Sequence, residues 1–170
     1  ILAEPFPDTG LAIAPLYDEP ILAAVPSTYP LAQQESISTQ QLKNETVLLL
    51  GAGHCFRDHV LEVCPEFARY ASNAEGIRRS FEGSSLETIK HMVAAGMGVT
   101  LVPRLSVAND ALQSPRRRRS DEPYIRYLPI VEPDGSAPPK RRVSLVWRRS
   151  FTRYEAIAAL RNAIHACKLL

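Results

Sequence analysis

Residues 46–50 form a continuous apolar-ending run, TVLLL, that stops at Gly51 and gives way within three residues to the amphipathic stretch GHCFRDHVLEVC at 53–64. Four consecutive aliphatic side chains point to both faces of a strand, so the run predicts a strand buried on both sides. In the second stretch Phe56, Val60 and Val63 recur at i, i+4 and i+7, and Gly53 marks a start, which predicts a short helix. A strand, a glycine turn and a helix in immediate succession commit the chain to an α/β arrangement. The junction presents the helix N-terminus at the strand's C-terminal end, a common place for sites in α/β sheets.

Cys55 and Cys64 stand near the two ends of that helix. Nine steps of about 100° put their sulfurs on opposite faces and separate them by roughly 13 Å along the axis. A disulfide needs Cα atoms about 4.4–6.8 Å apart, so the pair cannot be bridged while the helix is intact. Any bond between them has to unwind or relocate the segment. Cys55 is the expected nucleophile, because unpaired backbone N–H groups at a helix N-terminus favour a thiolate. His54 is adjacent, Arg57 follows two residues on, and His59 is expected one turn later on the same side. Cys64, just before Pro65, is expected to be shielded and to resolve the oxidised Cys55.

Two other readings compete. Both cysteines suit an ordinary core, where unoxidised cysteine is common. His54, Cys55, His59 and Cys64 are also ligand types that zinc accepts, yet their spacing matches none of the usual structural zinc patterns. No metal and no cofactor is expected. Cys167 is predicted to be a core residue, because Ile157, Leu160, Ile164 and Cys167 share one stripe of the C-terminal helix.

Elsewhere, fourteen prolines punctuate the segment ends. Residues 11–13 and 21–25 are predicted as two short strands with Pro15 and Pro20 flanking the crossing between them. Residues 38–42 predict a short helix. Ser84 and Glu87 fit a capping box opening a helix with Leu86, Ile89 and Val93 on one face, ended by Gly96 and Gly98 before a strand at 99–102. A helix is expected at 105–112, strands at 125–131 and 143–147, a turn at Pro133-Asp134-Gly135, and a second capping box, Thr152 with Glu155, at the final helix.

GHCFRDHVLEVC resembles the redox motif of the peroxide-sensing branch of the LysR-type transcriptional regulators. The match continues through SSLETI at 84–89 and MVAAGMGVTLVP at 92–103, which are similar to a helix, glycine turn and strand of LysR-type effector domains. PLYDEPIL at 15–22 and RVSLVWR at 142–148 resemble the hinge-crossing strands. The resemblance implies a two-lobed, periplasmic-binding-protein-like effector domain lacking its first part. Residues 1–18 and 143–170 would belong to lobe I and 19–142 to lobe II, and an N-terminal winged helix-turn-helix DNA-binding domain is not in this chain. It further implies hydrogen peroxide sensing by a reversible Cys55–Cys64 disulfide, with Cys55 peroxidatic, Cys64 resolving, and His54, Arg57 and Asp58 activating Cys55 or positioning the peroxide. His59 has no role by this resemblance. Implied partners are DNA through the absent domain, RNA polymerase, and a second copy in an effector-domain homodimer, with a tetramer in the intact protein.

Composition bounds the alternatives. No apolar run approaches the ~20 residues that span a bilayer, and three cysteines without disulfide-dense spacing favour a reducing cytoplasm, which the resemblance implies is bacterial. The net charge of +2 conceals an acidic first hundred residues and a basic remainder, with Arg116-Arg117-Arg118-Arg119 its strongest cluster. Without interleaved aromatics, that cluster predicts a solvated or disordered loop rather than a nucleic-acid contact. A thiol peroxidase or disulfide oxidoreductase is disfavoured: there is no Cys-x-x-Cys pair, and turnover would require refolding the site at each cycle. A metabolite-binding LysR-type effector domain with unimportant cysteines is the remaining alternative.

Overall fold

The computed structural model describes residues 1–7, 9–65, 67, 80–83, 85–108 and 124–167. Its elements are β1 (Leu2–Ala3), β2 (Leu11–Pro26), α1 (Thr39–Leu42), β3 (Val47–Leu50), α2 (Cys55–Val63), β4 (Ser80–Gly83), α3 (Leu86–Ala94), β5 (Thr100–Pro103), β6 (Ile125–Pro129), β7 (Lys140–Arg148) and α4 (Tyr154–Ala166). This is an α/β chain. It divides into two compact units, residues 1–20 with 140–170, and residues 21–139.

In the larger unit the second half of β2 is the central strand, antiparallel to both neighbours: Ala23 pairs Leu101 of β5 on one side and Leu128 of β6 on the other. All residues of this half from Ile21 to Pro26 are buried, as two-sided coverage demands. β3 and β4 form a parallel pair with Leu50 opposite Gly83. All four residues of β3 are buried, which fits the aliphatic run. Gly98 allows the close approach of the α3–β5 turn to this strand: a Cβ there would lie 2.4 Å from the Thr46 carbonyl oxygen.

In the smaller unit the first half of β2 runs antiparallel to β7, from Leu11↔Arg148 to Pro20↔Lys140, with a register shift between Pro15 and Tyr17. β1 pairs the other edge of β7. The strands at 11–13 and 21–25 are therefore one 16-residue strand. Both prolines fall where the ladder changes: Pro15 at the bulge, Pro20 at the last pair with β7 before β2 meets β5.

Four further expectations are corrected. Ser85, not Ser84, caps α3, its hydroxyl accepting from the Thr88 amide at 3.1 Å; Glu87 lies in the first turn and binds Lys90 instead. α4 begins after Arg153 without a side-chain cap, so Thr152 and Glu155 form no capping box. The helix expected from Leu105 is a single 3-10 turn, Arg104–Ser106, and 109–112 lie outside the described residues, as does the arginine run 116–119. Cys167 is exposed rather than core. Its stripe exists, but no residue of α4 is buried: Leu160 is 46% exposed and Ile157 lines an open depression of about 280 Å³ with Trp147 and Phe151.

Candidate functional site

The site is built on the junction between β3 and α2. After Leu50 the chain turns through Gly51, Ala52 and Gly53, where Gly53 has φ +95°, a conformation that strongly favours glycine. The turn is closed by the His54 amide donating to the Gly51 carbonyl at 3.4 Å. His54 is the N-cap residue, extended at φ −85°, ψ 118°; its carbonyl accepts from the Arg57 amide at 2.9 Å, and its side chain makes no capping bond. Cys55 is thus the first helical residue, at the end where unpaired N–H groups collect.

α2 holds to the core through Phe56, Val60 and His59, all buried. A nine-residue helix is marginal alone in water, so this packing maintains it. Its last turn closes with the Cys64 amide donating to the Val60 carbonyl at 3.0 Å. Cys64 itself leaves helical geometry at φ −131°, ψ 79°, as a residue preceding proline tends to.

Cys55 is exposed, whereas Cys64 is fully buried at 0% exposure. Both are thiols, at opposite ends of one unbroken helix. His54 and Asp58 are exposed and Arg57 half-buried. Cys55 and Asp58, three apart, share a helix face. Arg57 reaches back across the junction: its Nη1 donates to the Leu50 carbonyl at 2.6 Å.

His59 corrects the expectation that placed it beside Cys55. It lies on the core side of α2, 5% exposed, with its ring centroid 6.1 Å from that of Phe56. The signal was in the spacing, since His59 follows Phe56 by three and precedes Val63 by four. The Leu50 carbonyl as a partner for Arg57 had no sequence signal, because backbone acceptors are not encoded by residue type. Among the described residues, no three His, Cys, Asp or Glu side chains are grouped to hold a metal. No helix among them is long and apolar enough to cross a membrane.

Comparison with known proteins extends this geometry. The LysR substrate binding domain model matches residues 1–167. The DNA-binding transcriptional dual regulator OxyR of Escherichia coli K12 is 37% identical over 147 residues, 85% of this chain and 42% of that protein. The chain therefore spans less than half the length of that relative. Among solved structures, a reduced form of OxyR from N. meningitidis superposes with a TM-score of 0.81 at 34% identity, covering 99% of this chain and 71% of that one. The reduced OxyR regulatory domain from Pseudomonas aeruginosa superposes with a TM-score of 0.74 at 36% identity, covering 98% and 71%.

Proposed function

The chain belongs to the LysR substrate binding domain family, and on that premise we propose that it is the peroxide-sensing part of an OxyR-like transcriptional regulator. The observation that carries this reading is the placement of one exposed and one buried thiol at the two ends of α2. Cys55, as thiolate, attacks one oxygen of hydrogen peroxide; the O–O bond breaks, hydroxide leaves and is protonated to water, and Cys55 becomes a sulfenic acid. The Cys64 sulfur then attacks the Cys55 sulfur, the S–O bond breaks, and a second water leaves. Two thiols and one peroxide give one disulfide and two waters. His54 and Asp58, exposed on the first turn, are the groups proposed to orient the peroxide at Cys55.

The second step gives the sensor its output. Exposing Phe56, Val60 and Cys64 as α2 opens costs roughly 5 kcal/mol at about 1.5–3 kcal/mol per large apolar side chain. Bringing the sulfurs together forces that opening, so oxidation is converted into a change of backbone. In the intact regulator this change would pass to DNA through a DNA-binding domain, in an assembly of effector-domain dimers, with contact to RNA polymerase. Residues 1–18 and 143–170 would complete lobe I, and 19–142 would be lobe II.

A slow, structurally costly cycle suits a stoichiometric sensor better than a catalyst. Peroxide titration with a thiol reductant tests this. Consumption of one equivalent per chain supports the sensor, and sustained turnover supports a thiol peroxidase. Absence of reaction together with calorimetric binding of a small metabolite supports a metabolite-responsive effector domain.

A further inference from the structure

Arg57 sits two residues from Cys55, and its side chain reaches the strand behind the helix. Nη1 donates to the carbonyl of Leu50, the last residue of β3, at 2.6 Å. Leu50 is buried and lies opposite Gly83 of β4, and the next amide, that of Gly51, donates to the Gly83 carbonyl at 3.1 Å. The acceptor that Arg57 grips is therefore fixed in a paired strand. The turn between strand and helix is otherwise weakly tied. Ala52, Gly53 and His54 are exposed, and the backbone bond closing the turn is 3.4 Å long, at the loose end of the hydrogen-bond range. The guanidinium–carbonyl bond is charge-assisted and short, the stronger kind.

We infer that Arg57 is a latch: a positioning residue that pins the first turn of α2 to the end of β3 and so holds the site in its reduced, helical form. The inference rests on the peroxide-sensing reading for its consequence, though not for its first readout. Moving the Cα atoms of Cys55 and Cys64 from roughly 13 Å to disulfide range lifts the first turn away from β3. Arg57 travels with that turn, and its bond to Leu50 breaks. The bond then belongs to the dithiol state alone, and it opposes attack of Cys64 on the Cys55 sulfenic acid, the step in which the S–O bond breaks and water leaves. It does not oppose the first oxidation by peroxide. The latch sets how readily the sensor locks into its disulfide.

The test is Arg57→Gln in the 170-residue chain, with three readouts. In the reduced protein, hydrogen exchange at residues 57–60 is expected to speed up about tenfold, the factor for a charge-assisted hydrogen bond discounted for partial exposure, while exchange in β3 stays at wild-type rates. The pH profile of Cys55 alkylation is expected to superimpose on wild type. The disulfide/dithiol equilibrium is expected to shift about tenfold toward the disulfide, about 30 mV for a two-electron couple. If Arg57→Gln does not fold, Arg57→Lys is the second variant, with exchange between that of wild type and a tenfold increase. Unchanged exchange overturns the latch; so does an alkylation profile that moves, since that marks Arg57 as acting on the thiolate through its charge. Should wild type form no Cys55–Cys64 bond under peroxide, the sensing reading fails, while the exchange result still judges the latch.

Discussion

The Glu19 carboxylate, 1% exposed, binds the Arg141 guanidinium across β2 and β7, accepting from Nε at 2.8 Å and lying 2.7 Å from Nη2. It is an ion pair taken almost wholly out of water within the smaller unit. One residue earlier, Asp18 binds Lys140 at 2.7 Å and Arg142 at 3.0 Å, but in solvent. The two acidic neighbours occupy opposite faces of one strand, and their energetic weights differ accordingly.

Glu19→Ala is expected to destabilise the smaller unit by roughly 3 kcal/mol, because it leaves the largely buried Arg141 charge uncompensated. Asp18→Asn is expected to cost well under that, because water screens an exposed pair. Denaturant unfolding followed by the fluorescence of Trp147, the chain's one tryptophan, compares them directly. Equal losses would contradict the assignment of burial.

The hydrogen bond from Arg142, and then that from Lys140, lower the Asp18 carboxyl from its ordinary value to about 2. A depressed folded-state value means the contribution is fully present above about pH 4, the unfolded carboxylate's range, and is lost as pH falls through about 2. Acid unfolding of wild type and Asp18→Asn should therefore converge between about pH 4 and 2, with wild type the more stable above that window. Curves that stay parallel through it would exclude this cause.

Gly98→Ala is expected to cost about 3 kcal/mol, because the added Cβ meets the Thr46 carbonyl oxygen, which accepts the Val99 amide at 2.8 Å. Gly96→Ala, at φ +78° with no atom near the new Cβ, carries only the backbone cost of about 1 kcal/mol. Thermal melts of the two variants order them, and a reversed order would show that the α3–β5 turn adapts.

Cys55→Ser should abolish the peroxide response. Cys64→Ser should leave a longer-lived sulfenic acid on Cys55, trapped by a dimedone-type reagent, and should also lower stability by about 1–3 kcal/mol, because a hydroxyl replaces a fully buried thiol. A trapped adduct of equal lifetime in wild type would show that Cys64 does not resolve it.

What the sequence made legible was what short-range pattern encodes. The β3–α2 junction was readable because aliphatic run, glycines and i, i+4, i+7 spacing all agree. The α/β class followed from the same alternation. Pro15 and Pro20 are local breakers, so the sequence reads as two strands there; that one strand can carry both by placing them at a bulge and at a change of partner is a property of β7, β5 and β6, more than seventy residues away. Cys167, exposed at the end of its stripe, shows the converse. The stripe on α4 is real, but periodicity states which face wants cover and not whether cover is present. In the site, Cys55 and its neighbours could be named, whereas the core-facing orientation of His59 and the bond from Arg57 to a strand-end carbonyl depend on how α2 docks.

The most direct measurement is peptide mapping of the chain after brief exposure to low peroxide, with circular dichroism on the same sample. A Cys55–Cys64 disulfide accompanied by loss of helical signal is the predicted result. Both cysteines recovered as thiols, a bond to Cys167, or a Cys55–Cys64 bond formed with the helical signal intact would contradict the account.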